Sequence, residues 1–233
     1  MYIWDHCFSG GKVMSYDASY AQYIDHSVLK PETTRATLKK FCDEARAYHF
    51  ASVAVNPYNI PYVVEQLKGS GVLAGAAIGF PLGATTKLVK VTEAKEALEN
   101  GAGEVDMVIN IGALKDRDLD YVRDEIQAVV DVCHPHIPVK VILEISALTD
   151  EEIVIASKLA AEAGADWVKT STGFGAGGAT IEGVRLMREA VEGRCRIKAA
   201  TGINNRQIAD AFLAEGVRRF GTSKGIKIVE DAE

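Results

Sequence analysis

The regular alternation of short apolar runs with amphipathic segments constrains the fold of this chain more than any other feature. From residue 19 onward, each apolar run is followed by a segment of about 10–15 residues with helical periodicity. This alternation is typical of repeated βα units around a parallel sheet. The apolar runs predict strands at residues 23–26, 51–55, 74–78, 104–109, 138–143, 166–169, 196–200 and 218–221.

Eight βα units within 233 residues match the count of a (β/α)8 barrel, the TIM barrel. We therefore predict a single-domain TIM barrel over residues 19–233, preceded by an N-terminal extension at residues 1–18. A doubly wound open sheet is the alternative. Such a sheet usually carries a glycine-rich fingerprint after its first strand, where this chain has Asp25 and His26.

Composition excludes several classes of function. The chain has 26 basic and 32 acidic residues, a net charge of −6 and no basic tract, so we expect no nucleic-acid partner. No apolar run approaches the ~20 residues that cross a bilayer, and the N-terminus lacks a signal-peptide layout. The four scattered cysteines have no zinc spacing and fit free thiols in a reducing cytoplasm. We expect a cytoplasmic protein without a metal site or a membrane partner.

Two lysines stand at the ends of the sixth and seventh predicted strands, where barrels of this type place their active sites. If Lys169 and Lys198 lie side by side, each lowers the pKa of the other, and burial adds to this effect. A lysine that is partly neutral at pH 7 can attack a carbonyl and form an imine. The alternative is that each lysine pairs with a carboxylate or extends to solvent.

Further ionisable residues lie within predicted strands. Asp106 has apolar flanks, so it is either a proton shuttle for the lysines or part of a structural salt bridge. Glu144 ends the fifth strand and could join the same network. Lys140 could fill the bottom of the barrel as an ion pair. His26 is the histidine that we expect nearest the mouth of the barrel.

Small residues dominate the loops after the seventh and eighth strands, at residues 200–204 and 221–225. Free backbone N–H groups at the start of a helix suit a phosphate group, and barrels often bind phosphate at these two loops. We therefore predict a phosphate site at this end of the barrel.

Several stretches together resemble the deoxyribose-phosphate aldolase family. The resemblance is collinear from about residue 21 to about residue 225. The stretches that carry it are YIDHSVLKP at 23–31, IGFPLG at 78–83, EVDMVINIGALK at 104–115, VKVILE at 139–144, VKTSTGF at 168–174 and RRFGTS at 218–223.

This resemblance implies a class I aldolase that needs neither a metal nor a cofactor. It would reversibly cleave 2-deoxy-D-ribose 5-phosphate to D-glyceraldehyde 3-phosphate and acetaldehyde through a lysine Schiff base. The imine-forming lysine maps onto Lys169, the second lysine onto Lys198 and the proton-relay aspartate onto Asp106. The resemblance also implies a homodimer. We expect the substrate to contact Asp25, Thr170, Gly173, Thr201, Gly202, Gly221, Thr222 and Ser223.

The chain departs from the family pattern mainly in the phosphate loops. Thr201 replaces the first glycine of a Gly-Gly pair, Asn204 stands where a basic residue is common, and Lys224 replaces a serine. Ile145 replaces a threonine after Glu144. We predict that the imine chemistry is intact and that phosphate recognition is altered.

Two other functions stay open at this point. The chain could be a Schiff-base aldolase that joins a different pair of aldehydes. It could also be a barrel that binds a phosphosugar without turning it over. The joint presence of Lys169, Lys198 and Asp106 argues against a binding protein.

Overall fold

The computed structural model of the chain describes residues 4–9 and 12–230. Within them, ten strands form a two-stranded sheet and a closed barrel. The strands are β1 (Trp4–Ser9), β2 (Lys12–Asp17), β3 (Ile24–Ser27), β4 (Ser52–Val55), β5 (Leu73–Ile78), β6 (Glu104–Val108), β7 (Val139–Ile142), β8 (Trp167–Lys169), β9 (Arg196–Ala200) and β10 (Val217–Thr222).

Helices follow the barrel strands and cover the outside of the barrel. They are α1 (Ala18–Ala21), α2 (Arg35–Tyr48), α3 (Ile60–Leu67), α4 (Lys87–Glu99), α5 (Ile111–Lys115), α6 (Leu119–Cys133), α7 (Asp150–Glu162), α8 (Ile181–Val191), α9 (Arg206–Ala214) and α10 (Gly225–Glu230). None of the helices in the described part of the chain is long and apolar enough to span a membrane.

The predicted TIM barrel is confirmed. Strands β3 to β10 pair in parallel in the order of the sequence, and β10 closes the ring by pairing with both β9 and β3. Closure excludes the doubly wound open sheet. Each predicted strand agrees with the observed one to within about two residues, the usual uncertainty of element ends.

The barrel wall has an apolar outer face and a charged interior. On β6, Val105 and Met107 are fully buried and belong to the hydrophobic core, whereas Glu104 and Asp106 are buried members of the ion pairs inside the barrel. Alternation along a strand sends successive side chains to opposite faces. Helix α7 begins with a capping box, in which Thr149 and Glu152 each accept a hydrogen bond from the other's backbone N–H.

The described part of the predicted N-terminal extension contains two strands and the start of α1. Strands β1 and β2 form an antiparallel hairpin in which Trp4 pairs with Asp17. Asp17 then caps α1 and forms a buried ion pair with Arg206 at 2.5 Å. This pair attaches the hairpin to α9. Residues 1–3 and 10–11 of the extension lie outside the described residues.

Candidate active site

The barrel interior is filled by a network of ion pairs. Strand register brings the members together, because Lys169 lies beside Lys198 on β9 and Asp106 lies beside Lys140 on β7. The network consists of Asp25, Glu104, Asp106, Lys140, Lys169, Lys198 and Arg219. All of these side chains except Arg219 are almost completely buried.

Asp106 is the centre of this network. Its Oδ2 accepts hydrogen bonds from the Nζ of Lys169 and from the Nζ of Lys198, both at 2.7 Å. Its Oδ1 lies 3.1 Å from the Nζ of Lys140. One carboxylate therefore contacts three lysines, and its Oδ2 connects the two lysines predicted for catalysis.

A lower layer of the network surrounds Lys140 and Asp25. The Nζ of Lys140 lies 2.6 Å from Glu104 and 3.8 Å from Asp25. Asp25 also pairs with Lys198 and, at 2.5 Å, with Arg219. Four cations thus share three carboxylates. Uncompensated charge is costly in a buried site, so the network balances when one lysine is neutral.

The pKa values of Lys169 and Lys140 are shifted in opposite directions. Burial lowers the pKa of Lys169, Asp106 opposes this, and Lys198 lowers it further, giving a pKa of about 8 against an ordinary value of 10.5. Burial also lowers the pKa of Lys140, but Asp106, Glu104 and Asp25 outweigh it and raise this pKa. Burial would raise the pKa of Asp106, yet the three lysines hold it well below its usual range.

Lys169 opens onto a cavity of about 600 Å³ at the C-terminal end of the barrel strands. The cavity has the size of a typical small-molecule site. The predicted site residues that line it are Lys169, Gly173, Thr201, Gly202, Gly221, Thr222 and Ser223. The loops after β8, β9 and β10 therefore meet around one space, as the sequence predicts.

Four of the predicted residues do not line the cavity. Asp106 accepts a hydrogen bond from Lys169 within the barrel, and Lys198 donates to the same Asp106 oxygen. Asp25, predicted to contact substrate, is instead buried beneath them with Lys198, Arg219 and Ser52, because its side chain points to the barrel interior. Thr170 instead ties β8 to β9, since its hydroxyl accepts from Ala200 N–H at 3.0 Å.

Two other sequence-based expectations differ from the structure, and a third agrees with it. Glu144 bonds Thr172 and Ser146 rather than the lysines. His26 faces away from the mouth, because it stacks on Phe41 of α2 and pairs with Glu44. Lys140 forms ion pairs with Glu104 and Asp106 inside the barrel, as the sequence analysis suggested.

The departures in the phosphate loops occupy distinct places. Thr201 has a φ of 69°, a left-handed conformation that costs a β-branched residue free energy and suits glycine. Asn204 lines the cavity. Arg206 points elsewhere, to Asp17 and Asp210. Lys224 lines a separate cleft between α2 and α10, so it adds no cation to the cavity.

Comparison with known proteins supplies the family. Residues 19–228 match the model of the DeoC/LacD family aldolases. The chain belongs to this family. The matched range begins beside the predicted boundary between the extension and the barrel, and that boundary stays a prediction.

The relatives of this DeoC/LacD family member cover nearly its whole length. A deoxyribose-phosphate aldolase of Clostridium tetani is 52% identical over 212 residues, covering 91% of this chain and 98% of the relative. One from Thermococcus gammatolerans is 54% identical over 215 residues, covering 91% and 96%.

Solved structures agree with these relatives. A putative deoxyribose-phosphate aldolase from Coccidioides immitis superposes with a TM-score of 0.88 at 39% identity, covering 95% of this chain and 87% of the other. A deoxyribose phosphate aldolase from Aeropyrum pernix, described as a unique tetrameric structure, gives 0.85 at 29% identity, covering 91% and 90%.

One wall of the cavity in this DeoC/LacD aldolase was missed by reasoning from strand ends. It is formed by the end of β3 and the loop that follows, and it includes Ser27, Lys30 and Glu32. Thr172 and Phe174 also line the cavity. The available signal was the motif YIDHSVLKP, whose lysine lies three residues after the end of the first barrel strand. In the described part of the chain, no group of three or more His, Cys, Asp or Glu side chains could hold a metal ion.

Proposed function

We propose that the chain is a deoxyribose-phosphate aldolase that cleaves 2-deoxy-D-ribose 5-phosphate to D-glyceraldehyde 3-phosphate and acetaldehyde, and catalyses the reverse addition. The names of its relatives give the substrate. The observation that carries the proposal is the Nζ of Lys169, which has a pKa of about 8 and opens onto the cavity.

The reaction begins at Lys169. Its neutral amine adds to the C1 aldehyde of the open-chain sugar, and loss of water gives a protonated imine. A base takes the proton of the C3 hydroxyl, the C2–C3 bond breaks, and its electrons move to the imine nitrogen. Glyceraldehyde 3-phosphate leaves with the new C3 carbonyl. The remaining enamine is protonated at C2, and water hydrolyses the resulting imine to acetaldehyde and free Lys169.

Asp106 and Lys198 manage the protons of this sequence. Asp106 Oδ2 lies 2.7 Å from both amines, so it can pass a proton between them. Lys198 also lowers the pKa of Lys169 by its positive charge. A positioned proton donor of this kind contributes about 10²–10⁴ in rate.

Chemical trapping tests the nucleophile directly. Reduction with borohydride in the presence of acetaldehyde should fix a two-carbon adduct, and peptide mass spectrometry should locate it on Lys169. A Lys169→Leu variant is the matched control. A protein that acquires no adduct, or that is labelled equally in the variant, would support a binding barrel instead.

The donor aldehyde is a separate question. Product analysis with acetaldehyde, propanal and dihydroxyacetone phosphate as donors distinguishes this activity from another Schiff-base aldolase. We expect acetaldehyde to react fastest, and a preference for a different donor would move the chain to the second type.

Phosphate recognition is the part of the proposal that the departures affect. Thr201 holds a left-handed backbone where the resemblance leads us to expect glycine, and its side chain stands beside Gly173 at the cavity wall. We propose that the chain favours the phosphorylated sugar less strongly than its relatives. The ratio of kcat/KM for deoxyribose 5-phosphate to that for deoxyribose, measured beside the Clostridium tetani enzyme, tests this. An equal ratio would exclude the proposal.

Assembly and location complete the proposal. We propose a homodimer, which light scattering of the purified protein would distinguish from the tetramer described for the Aeropyrum pernix protein. A cytoplasmic location fits the buried free thiols of Cys42, Cys133 and Cys195, because a reducing compartment keeps thiols free.

A further inference from the structure

One buried carboxylate takes no part in the imine chemistry. Glu144 lies two residues after the end of β7 and is 5% exposed. Within the described part of the chain, no cation lies within ion-pair distance of it. Its charge is met by three hydrogen bonds instead. Oε2 accepts from the backbone N–H of Thr172 at 3.1 Å and from the Thr172 hydroxyl, and Oε1 accepts from the Ser146 hydroxyl at 3.0 Å.

The Thr172 hydroxyl is fixed by these contacts. A threonine hydroxyl has one hydrogen to donate and two lone pairs to accept with. Its hydrogen goes to Glu144, and one lone pair accepts from the N–H of Phe174 at 3.0 Å. The second lone pair is left for a ligand, and Thr172 lines the same cavity as Lys169.

We propose that Glu144 is a positioning residue that forces the Thr172 hydroxyl to accept, and never to donate, a hydrogen bond in the cavity. The group bound there must then be a donor, which among the groups of a phosphosugar means a hydroxyl. A carbonyl or phosphate oxygen cannot supply the hydrogen. This inference rests on the proposed function and adds to it a selection for the free hydroxyl next to the aldehyde of the three-carbon product.

The backbone supports the same role. Glu144 has a φ of 56° and a ψ of 63°, a conformation that a residue with a long side chain adopts at a cost. The loop after β8 lies directly on the carboxylate, because a Cβ added to Gly175 would stand 2.8 Å from Glu144 Cδ. The contacts between Glu144 and this loop hold both segments in place.

The addition reaction offers a matched pair of acceptors. One is glyceraldehyde 3-phosphate, and the other is 3-oxopropyl phosphate, which lacks only the 2-hydroxyl. With acetaldehyde as donor, we expect the wild type to favour the hydroxylated acceptor in kcat/KM by on the order of tenfold. Glu144→Leu and Thr172→Val should reduce this preference to about one, through the KM of the hydroxylated acceptor.

Conservative variants separate positioning from mere packing. Glu144→Gln can still accept both Thr172 bonds through its amide oxygen and donate to Ser146, so it should keep the preference. Thr172→Ser should keep it too. Ser146→Ala removes the contact to the other carboxylate oxygen only, and it should leave the preference unchanged. The double variant of Glu144→Leu and Thr172→Val should lose no more than Thr172→Val alone.

The outcomes distinguish this inference from the proposed function. Borohydride trapping on Lys169 must succeed in every variant, which also shows that the barrel is folded. If the wild type forms no adduct, the proposed function fails. If trapping succeeds but Thr172→Val keeps the acceptor preference, or Glu144→Gln loses as much as Glu144→Leu, the inference about Glu144 is overturned.

Discussion

Two buried lysines in the barrel interior share one carboxylate, yet their pKa values are shifted in opposite directions. Lys140 and Lys169 both contact Asp106, at 3.1 and 2.7 Å, and both are almost completely buried. Yet the pKa of Lys140 is raised and the pKa of Lys169 is lowered to about 8. Burial alone therefore does not set the direction in which the pKa of a lysine in this barrel shifts.

The number and sign of the neighbouring charges set the direction of each pKa shift. Lys140 faces three carboxylates, those of Glu104, Asp106 and Asp25. Lys169 lies two residues nearer the C-terminal end of the strands, because Lys140 pairs with Trp167 in the register of β7 and β8. There it has the carboxylate of Asp106 and the competing cation Lys198. A shift of two residues along a strand thus separates a structural ion pair from a nucleophile.

Replacing each lysine should have the largest effect, and the two effects should differ in kind. Lys169→Leu should lower kcat/KM by on the order of 10⁴ or more, as for other covalent nucleophiles, and leave folding intact. Lys140→Leu should cost about 3–5 kcal/mol of unfolding free energy, because it leaves buried carboxylates unpaired. Urea unfolding and steady-state rates measure the two effects.

Either of two results would contradict this difference between Lys140 and Lys169. If Lys140→Leu loses the borohydride adduct while its unfolding free energy is unchanged, then Lys140 belongs to the chemistry. If Lys169→Leu unfolds instead, then its amine has a structural role.

Asp106→Asn should have the next largest effect, because Asp106 pairs both with Lys140 and with the two lysines predicted for catalysis. The amide retains hydrogen-bonding groups but loses the charge that balances three lysines, so we expect kcat to fall by roughly 10²–10⁴. The unfolding free energy should fall as well. Unchanged activity would show that protons reach Lys169 by another route.

Strand-level reasoning picked out three residues that the structure joins through one carboxylate, because side chains alternate along strands. Lys169, Lys198 and Asp106 stand out as charges in apolar runs, and register then brings them together. The structure places Asp25 and Thr170 outside the cavity lining, and their predicted contact with the substrate stays a prediction. Both lie near strand ends, but the barrel interior extends below the cavity, and a side chain can face the interior without reaching the ligand space.

Loop residues were harder to place from sequence. Lys224 directly follows a cavity residue, Ser223, yet it lines the cleft behind the barrel mouth, because its backbone N–H turns back to Thr222. Lys30 lies in a motif of the first barrel strand and lines the cavity. The local sequence predicts where a turn occurs, whereas the direction of a loop side chain depends on the packing of neighbouring elements.

The pH dependence of imine formation follows from the lowered pKa of Lys169. Below about pH 8 most of the Lys169 amine is protonated, and its neutral fraction increases roughly tenfold for each unit that the pH is raised. The single-turnover rate of imine formation should therefore rise with pH at the same rate and level off above about pH 8. Lys198→Met removes a cation that lowers this pKa, so the inflection should move to higher pH, and the rate at pH 7 should fall by on the order of 10².

A pH profile on stopped-flow trapping measures this shift. The sign is the decisive point, because loss of a positive neighbour favours the charged form of Lys169. An inflection that stays near pH 8 or moves to lower pH in Lys198→Met would show that burial alone sets the pKa of Lys169.

The smallest effect should come from the mouth of the cavity, beyond Lys169. Thr201→Gly removes a side chain from a left-handed position and opens the backbone beside Gly202, so a phosphate can approach more closely. We expect the KM for deoxyribose 5-phosphate to fall by about threefold, the value of one modest hydrogen bond, and the KM for deoxyribose to stay the same. The pKa of Lys169 should not move, because Thr201 carries no charge. Equal changes in the KM values of the two sugars would mean that Thr201 acts on the sugar chain rather than on the phosphate.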